Sequence, residues 1–246
     1  MRFAPALFGL LALLLWDVGV RLSGKPPYVL PGPLAVGAAF LADPELLLRG
    51  LAATLAVTGA ALVASCVVGI GLAGLMAASP LLRAAVLPWA VALQVTPVVA
   101  IAPLIIVWVG DPFTSLVVCA TVVAFFPVFS NTAAGLASAP PELLDLFRLN
   151  GAGRWQTLWL LRVPAAVPGF LAGLQVSGGL ALVGAVVAEF VAGSGGFASG
   201  LAYRIFEAGY RLQIPRMFAA LVLLAVAGVV INAGLGALGA WVLRRR

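Results

Sequence analysis

Five stretches of this 246-residue chain carry no charged side chain: 50–82, 84–110, 112–141, 163–188 and 217–243. Each exceeds the roughly 20 apolar residues with which a helix crosses the hydrocarbon core of a bilayer. No water reaches the backbone there, so runs of this kind must close their own hydrogen bonds, and helices do so within one segment. Composition agrees: 63% of residues are hydrophobic and 9% charged, against roughly a quarter charged in soluble domains. Mean hydropathy is +1.17. A sixth apolar segment, Phe3 to Leu22, can span if Asp17 lies near its end. Its basic start resembles a secretory signal, but it runs into Asp17 and Arg21 with no small-x-small cleavage pattern, so it is read as a retained helix. The expected fold is therefore an all-α integral membrane protein of about six transmembrane helices. These lie near 3–22, 51–78, 84–109, 113–131, 165–191 and 215–243, in a single transmembrane domain over 1–246.

Polar residues inside such a chain are few enough to take one by one. Asp17 and Arg21 stand four apart and can pair on one helical face at the membrane boundary. Pro26-Pro27 and Pro31-Gly32-Pro33 interrupt the chain, a short segment 34–41 can lie along the interface, and Asp43-Pro44 turns again. Pro88, Pro97 and Pro103 break up the third apolar run, with Gln94 and Thr96 beside the middle break. A broken helix belongs where it is buried or lines a wet cavity. Pro127 and Ser130 to Thr132 mark the exit of the fourth. Gln94, Thr96, Asn131, Gln175, Ser177 and Glu189 are the candidate pathway residues. Each has a plainer reading: packing kinks near Gln94 and Thr96, interhelical hydrogen bonds for Gln175 and Ser177. For Glu189 it is a helix contact or a pair with Arg204 or Arg211.

With no histidine, His-based acid–base or nucleophile chemistry is absent. Cys66 and Cys119 lie in apolar runs and suggest neither a disulfide nor a metal cluster. The net charge of +6 does not imply nucleic acid, because the basic residues sit at segment ends rather than on a soluble face interleaved with aromatics. Six crossings put both termini on one side. With that side cytosolic it holds eight basic residues, Arg2, Arg83, Arg148, Arg154, Arg162 and Arg244 to Arg246. The other side holds six, Arg21, Lys25, Arg49, Arg204, Arg211 and Arg216. The excess favours cytosolic termini and makes the interval 138–164 cytosolic.

That interval has the makings of a short helix. Pro140-Pro141 open it, Glu142 and Asp145 suit its positive N-terminal end, and Gly151 suits a C-terminal stop. Leu143, Leu146, Phe147 and Asn150 recur at helical spacing. Exposed Phe and Leu outside the membrane call for a protein that covers them.

The same stretch resembles the cytoplasmic loop E-A-A-x3-G-x9-I-x-L-P of the inner-membrane permeases of binding-protein-dependent ABC importers. Asp145 takes the acidic position, Gly151 follows six later, and Leu161, Val163 and Pro164 fill the closing places; Leu146-Phe147 replaces the two alanines. Leu30-Pro31-Gly32-Pro33, Thr96-Pro97 through Ala102-Pro103-Leu104, Phe126-Pro127 with Asn131-Thr132, Gly151 through Gln156, and Gly184 through Phe190 are similar to the nitrate/sulfonate/taurine branch.

The resemblance implies a bacterial inner-membrane permease subunit, paired with a second copy about a two-fold axis. It also implies a separate ATPase subunit that binds ATP and Mg, and a soluble solute-binding protein. The residues implied to meet the ATPase are Asp145, Phe147, Arg148, Leu149, Gly151, Arg154 and Trp155. The chain itself has no G-x-x-x-x-G-K-[ST] loop to cradle phosphates, no cofactor is expected in it, and Gly193-Ser194-Gly195-Gly196 reads as a flexible turn. Solutes of the branch include nitrate, taurine, alkane sulfonates and pyrimidine or flavin precursors, so a small polar organic molecule or anion is expected. The alternative is an autonomous channel or secondary transporter. That class calls for charge relays or ion ligands within the membrane, and here the interior acids are Asp17 and Glu189, both near segment ends. An intramembrane enzyme is the least favoured, for want of histidine, metal-ligand clusters or paired deep carboxylates.

Overall fold

The computed structural model describes residues 4–193 and 199–245, and among these every regular element is a helix and no strand occurs. The turn expected at Ser194 to Gly196, and Arg2 and Arg246 of the charge count, lie outside the described residues. Eleven α-helices follow in order: α1 (Ala4–Ser23), α2 (Pro33–Ala42), α3 (Pro44–Ala78), α4 (Pro80–Val95), α5 (Val98–Val109), α6 (Pro112–Ala137), α7 (Pro141–Leu149), α8 (Arg154–Thr157), α9 (Val163–Ala192), α10 (Leu201–Tyr210) and α11 (Ile214–Arg244). A single π turn, Leu158–Arg162, joins α8 to α9. Among the described residues four helices are long and apolar enough to cross a membrane: α3, α6, α11 and the continuous Arg154–Ala192. The bent pair α4 and α5 makes a fifth candidate. α1 matches the bounds of the first expected crossing to within a residue at each end but is not among these candidates, so four or five spans stand among the described residues where about six were expected.

Several boundaries differ from expectation, each for a local reason. α3 starts at Pro44 instead of Leu51, because proline suits a first helical turn and the Asp43 carboxylate accepts the Leu46 N–H at 3.3 Å. α4 starts at Pro80, with Ser79 capping it. Only Pro97 breaks the third run, which bends by 102° between α4 and α5; Pro88 and Pro103 sit within helices. α6 does not stop at Asn131 but continues through Pro127 to Ala137. The Pro127 carbonyl takes the Asn131 Nδ2 at 2.9 Å, so the polar cluster turns inward on its own helix. At the other end Asp111 caps α6, accepting Thr114 Oγ1 at 2.6 Å and the Thr114 N–H at 2.7 Å. Those two bonds hold its carboxyl below the usual carboxylate range.

The chain divides into two compact units. The first comprises Met1–Thr54 and Gly193–Val226. Its core gathers Val36, Leu47, Leu201, Ile205, Ala219 and Ala220, with Trp16 beside Phe218 at 6.1 Å. Gly200 supplies no side-chain cap for α10; the Leu201 N–H instead donates to Thr54 Oγ1 at 2.8 Å. Ion pairs close the polar rim: Asp17 with Arg21 at 2.8 Å, Asp43 with Arg216 at 2.7 Å, and Glu207 with both Arg204 and Arg211 at 2.9 Å. α10 ends with Leu212 at φ 56°, its N–H on Gly209 and the Gln213 N–H on Ala208. That left-handed position normally falls to glycine.

The second unit, Leu55–Ala192 with Ala227–Arg246, is built on α6 against α9. The helices run antiparallel, with Gly173 facing Pro127, Ser177 facing Ala124 and Gly184 facing Ala120. A Cβ on Gly173 would stand 2.5 Å from the Pro127 carbonyl oxygen, so the two backbones touch there. Such approach replaces the hydrophobic drive that lipid cannot supply. Ser177 Oγ, fully buried, donates to the Ala124 carbonyl at 2.6 Å. Buried Ala181, Ala185 and Ala188 extend the seam into a core with Val57, Ala61, Ala102, Leu116 and Cys119. Large apolar side chains such as Val63, Val67, Val107, Trp108 and Val229 point outward, as lipid-facing surface requires.

Two outcomes follow. Leu212→Gly relieves a left-handed conformation that costs an L-residue about 1–2 kcal/mol, so the variant unfolds at higher temperature in detergent; an unchanged or lower midpoint speaks against strain at this position. Gly173→Ala loses folded yield through contact with Pro127, whereas Gly179→Ala, with nothing within 4 Å of its Cβ, matches or exceeds the parent. Equal yields would contradict the close approach.

Candidate functional site

The interval after α6 folds into a helix closed at both ends by its own sequence. Pro140 precedes α7, and its carbonyl accepts the Leu143 and Leu144 N–H groups at 3.1 Å each. Glu142 stands in the first turn and Arg148 in the last, each matching the partial charge of its helix end. The chain leaves through a left-handed Gly151 at φ 71°. The Gly151 N–H reaches the Arg148 carbonyl at 3.0 Å and the Ala152 N–H reaches that of Phe147 at 2.9 Å, the paired bonds of a glycine C-terminal cap. Asn150 Nδ2 takes the Leu146 carbonyl at 2.8 Å. Nothing stands within 4 Å of a Cβ at Gly151, so the demand for glycine comes from the backbone alone.

α7 has two faces. Leu144 and Phe147 are half-buried, whereas Leu143, Leu146 and Leu149 are exposed, Leu149 to 86%. Phe147 is thus not the exposed anchor that its sequence suggested: three residues on from Leu144, it shares that residue's inward face. The outward apolar surface is leucine. Asp145 pairs with Arg148 at 3.2 Å, both well exposed, a geometry worth at most about 1 kcal/mol.

After Gly151 the chain becomes helical again, with Arg154 and Trp155 exposed on α8. Leu158–Arg162 then form the π turn, in which the Val163 N–H reaches back to the Leu158 carbonyl. It lies just before Pro164, where a missing N–H and a crowded carbonyl disturb regular α-helical bonding. Leu161, one of the residues matched to the cytoplasmic loop, is buried, and Arg162 Nη1 donates to the Ala77 carbonyl at 3.4 Å near the end of α3. From Arg154 to Ala192 the helix is continuous. α7 is therefore separated from the α6–α9 seam only by a four-residue link and a helix with one π turn.

The candidate pathway residues fall into different surroundings. Gln94 is exposed on α4. Thr96 caps that helix, its Oγ1 donating to the Ala92 carbonyl at 2.8 Å. Asn131 and Ser177 both lie along the α6–α9 seam with their donors spent on Pro127 and Ala124. Glu189 is buried near the C-terminal end of α9. Gln175 projects from α9 to α11, where its Nε2 donates to Asn232 Oδ1 at 3.0 Å. Asn232, exposed on α11, was not singled out from the sequence. The signal was there: apart from the indole of Trp241, it is the one strongly hydrogen-bonding side chain in the run 217–243.

Known proteins place this architecture. Residues 65–246 match the family described as binding-protein-dependent transport system inner membrane component. The formylaminopyrimidine transport permease protein ThiX of Halalkalibacterium halodurans is 34% identical over 226 residues, covering 92% of this chain and 88% of that protein. The riboflavin transport system permease protein RibX of Chloroflexus aurantiacus is 36% identical, over 88% of this chain and 80% of its own length. The taurine transport system permease protein TauC of Escherichia coli is 30% identical, over 94% and 86%. Among solved structures, an amino acid ABC transporter superposes with a TM-score of 0.67 at 19% identity, covering 85% of this chain and 98% of that one. The MetNI methionine ABC transporter, in inward-facing form, gives 0.70 at 23%, covering 80% and 96%; both likenesses bear on the fold. The chain belongs to the binding-protein-dependent transport system inner membrane component family, as a multi-pass ABC importer permease of the sulfonate/taurine branch.

Proposed function

We propose that this chain, as one transmembrane permease domain over 1–246, forms the membrane path for a small polar organic solute or anion and is driven through α7 by a separate ATP-hydrolysing subunit. Two copies pair about a two-fold axis, a soluble binding protein delivers the solute, and both termini face the cytosol. ATP and Mg belong to the ATPase. The carrying observation is α7 itself: a helix opened by Pro140-Pro141 and capped at its C-terminal end by Gly151, with Leu143, Leu146 and Leu149 turned outward and a near-continuous helical link to α9. A rigid lever with an uncovered apolar face supports docking by a protein, and Asp145, Arg148, Arg154 and Trp155 surround that face with exposed polar and aromatic groups. Displacement of α7 passes to α9, and from there to α6.

For the pathway, side chains with free capacity are favoured over those already spent. Gln175 with Asn232, and Gln94, offer amide groups that both donate and accept. That chemistry suits a neutral polar heterocycle as well as an anion. Relatives named for formylaminopyrimidine, riboflavin and taurine span this range.

Gly151→Val separates coupling from folding. Its left-handed φ costs an L-residue about 1–2 kcal/mol, and the C-terminal cap of α7 loosens. Solute uptake by the reconstituted complex falls at least fivefold with membrane insertion intact, while Gly151→Asn, which tolerates this conformation, retains most of it. Leu149→Asp, on a fully outward side chain, uncouples ATP hydrolysis from uptake without loss of the permease. Normal uptake in both Gly151→Val and Leu149→Asp removes α7 from the coupling path, and uptake by the chain alone without ATP supports an autonomous carrier instead.

A further inference from the structure

Within the second unit, beside α7, lies a cavity of about 1030 Å³. Four arginines line it: Arg83 from α4, Arg148 from α7, Arg154 from α8 and Arg162 from the π turn. No acidic residue does, among the described residues. The rest of the wall is largely apolar, with Leu87, Phe126 and Phe129 among it.

This arrangement contrasts with the first unit, where every described arginine is ion-paired: Arg21, Arg49, Arg204, Arg211 and Arg216. Around the cavity only Arg148 meets a carboxylate, that of Asp145 at 3.2 Å. Arg162 reaches only a backbone carbonyl, at 3.4 Å. The guanidinium groups of Arg83 and Arg154 have no hydrogen-bond or ion-pair partner among the described residues, and both residues are exposed. Each guanidinium carries about five N–H donors and stays charged at any physiological pH. Like charges gathered against an apolar wall repel more strongly than they would in open water. The lining hydroxyls do not offer an alternative recognition chemistry, because Thr157 Oγ1 already donates to Gly153 at 3.1 Å and Ser130 Oγ to Pro127 at 3.4 Å.

We propose that this cavity is an oxyanion site, at which Arg83, Arg154 and Arg162 bind a phosphate-type group while the apolar wall covers the body of the molecule that carries it. Guanidinium forks match the geometry of such oxyanions through paired hydrogen bonds. The occupant joins α4 to the segment that follows α7, so its presence stiffens the surroundings of that helix. Two sources share this chemistry: the headgroup of an anionic phospholipid, and a free small oxyanion. The cavity shares Arg148 and Arg154 with the proposed docking face, so binding is measured on this chain without an ATPase, and its failure leaves the proposed coupling through α7 standing.

The test uses the full chain in nanodiscs. In phosphatidylcholine discs, inorganic pyrophosphate is titrated at constant ionic strength and thermal unfolding is followed. In a second arm, discs containing phosphatidylglycerol are examined by native mass spectrometry for retained lipid, and the pyrophosphate titration is repeated. Stabilisation by pyrophosphate or retention of phosphatidylglycerol is expected, with apparent affinity at least tenfold weaker in R83Q/R154Q and unchanged in R49Q, which alters an exposed pair of the first unit. The side chains of Arg83 and Arg154 are exposed and make no hydrogen bond among the described residues, so their replacement leaves folding intact, and either single variant gives an intermediate result. Pyrophosphate binding that persists in phosphatidylglycerol discs assigns the site to a free anion. Retained lipid that blocks pyrophosphate assigns it to a headgroup. Absence of binding in both arms, or equal binding by R83Q/R154Q, overturns the proposal.

Discussion

The contact of α6 with α9 carries the second unit. Lipid is as apolar as any leucine, so two helices in a bilayer gain nothing from hiding hydrophobic surface from it; they gain from fitting closely. Here the fit is backbone to backbone. Gly173 lies where even one methyl group would collide with the Pro127 carbonyl, and Ser177 spends its hydroxyl on the carbonyl of Ala124. Interhelical hydrogen bonds in membranes are worth only about 0.6 kcal/mol on average. The many close contacts along the seam, rather than that bond, hold the helices together.

A seam of this kind gives the polar segment beside it a mechanical meaning. α9 continues back through the π turn to Arg154, and α7 stands one short glycine-capped link away. Packed helices have discrete arrangements rather than a continuum. On the proposed reading, a push on α7 is therefore converted into a shift of one close-packed register, not dissipated in a soft hinge. The apolar face of α7 that is available for the push is made by Leu143, Leu146 and Leu149.

How much of this was legible beforehand depended on the range of the interaction involved. The stop at Gly151 was visible because a left-handed C-terminal cap is decided by one residue and its neighbours. The Asp17–Arg21 pair was visible for the same reason: four residues along a helix bring side chains together. The prolines misled. Pro97 breaks its helix while Pro127, in a run of similar composition, does not; at Pro127 α9 is applied so closely that a Cβ on Gly173 would meet its carbonyl. Phe147 was placed on the wrong face because apolar character alone does not say which side of a short helix meets its own protein. Asn232 was overlooked because its meaning comes from Gln175, 57 residues away.

Length and charge distribution along the chain were sufficient to determine helices, the bilayer as solvent, and a polar helical segment between two apolar runs. These follow from local physics: an uncharged run of more than about 20 residues has few other ways to satisfy its backbone in lipid. Tertiary structure alone decided which small residues touch, which polar side chains are spent inside a seam, and that Arg83 and Arg162 meet around one cavity 79 positions apart in the chain. Such proximities depend on how helices cross, and no local pattern of residues encodes a crossing.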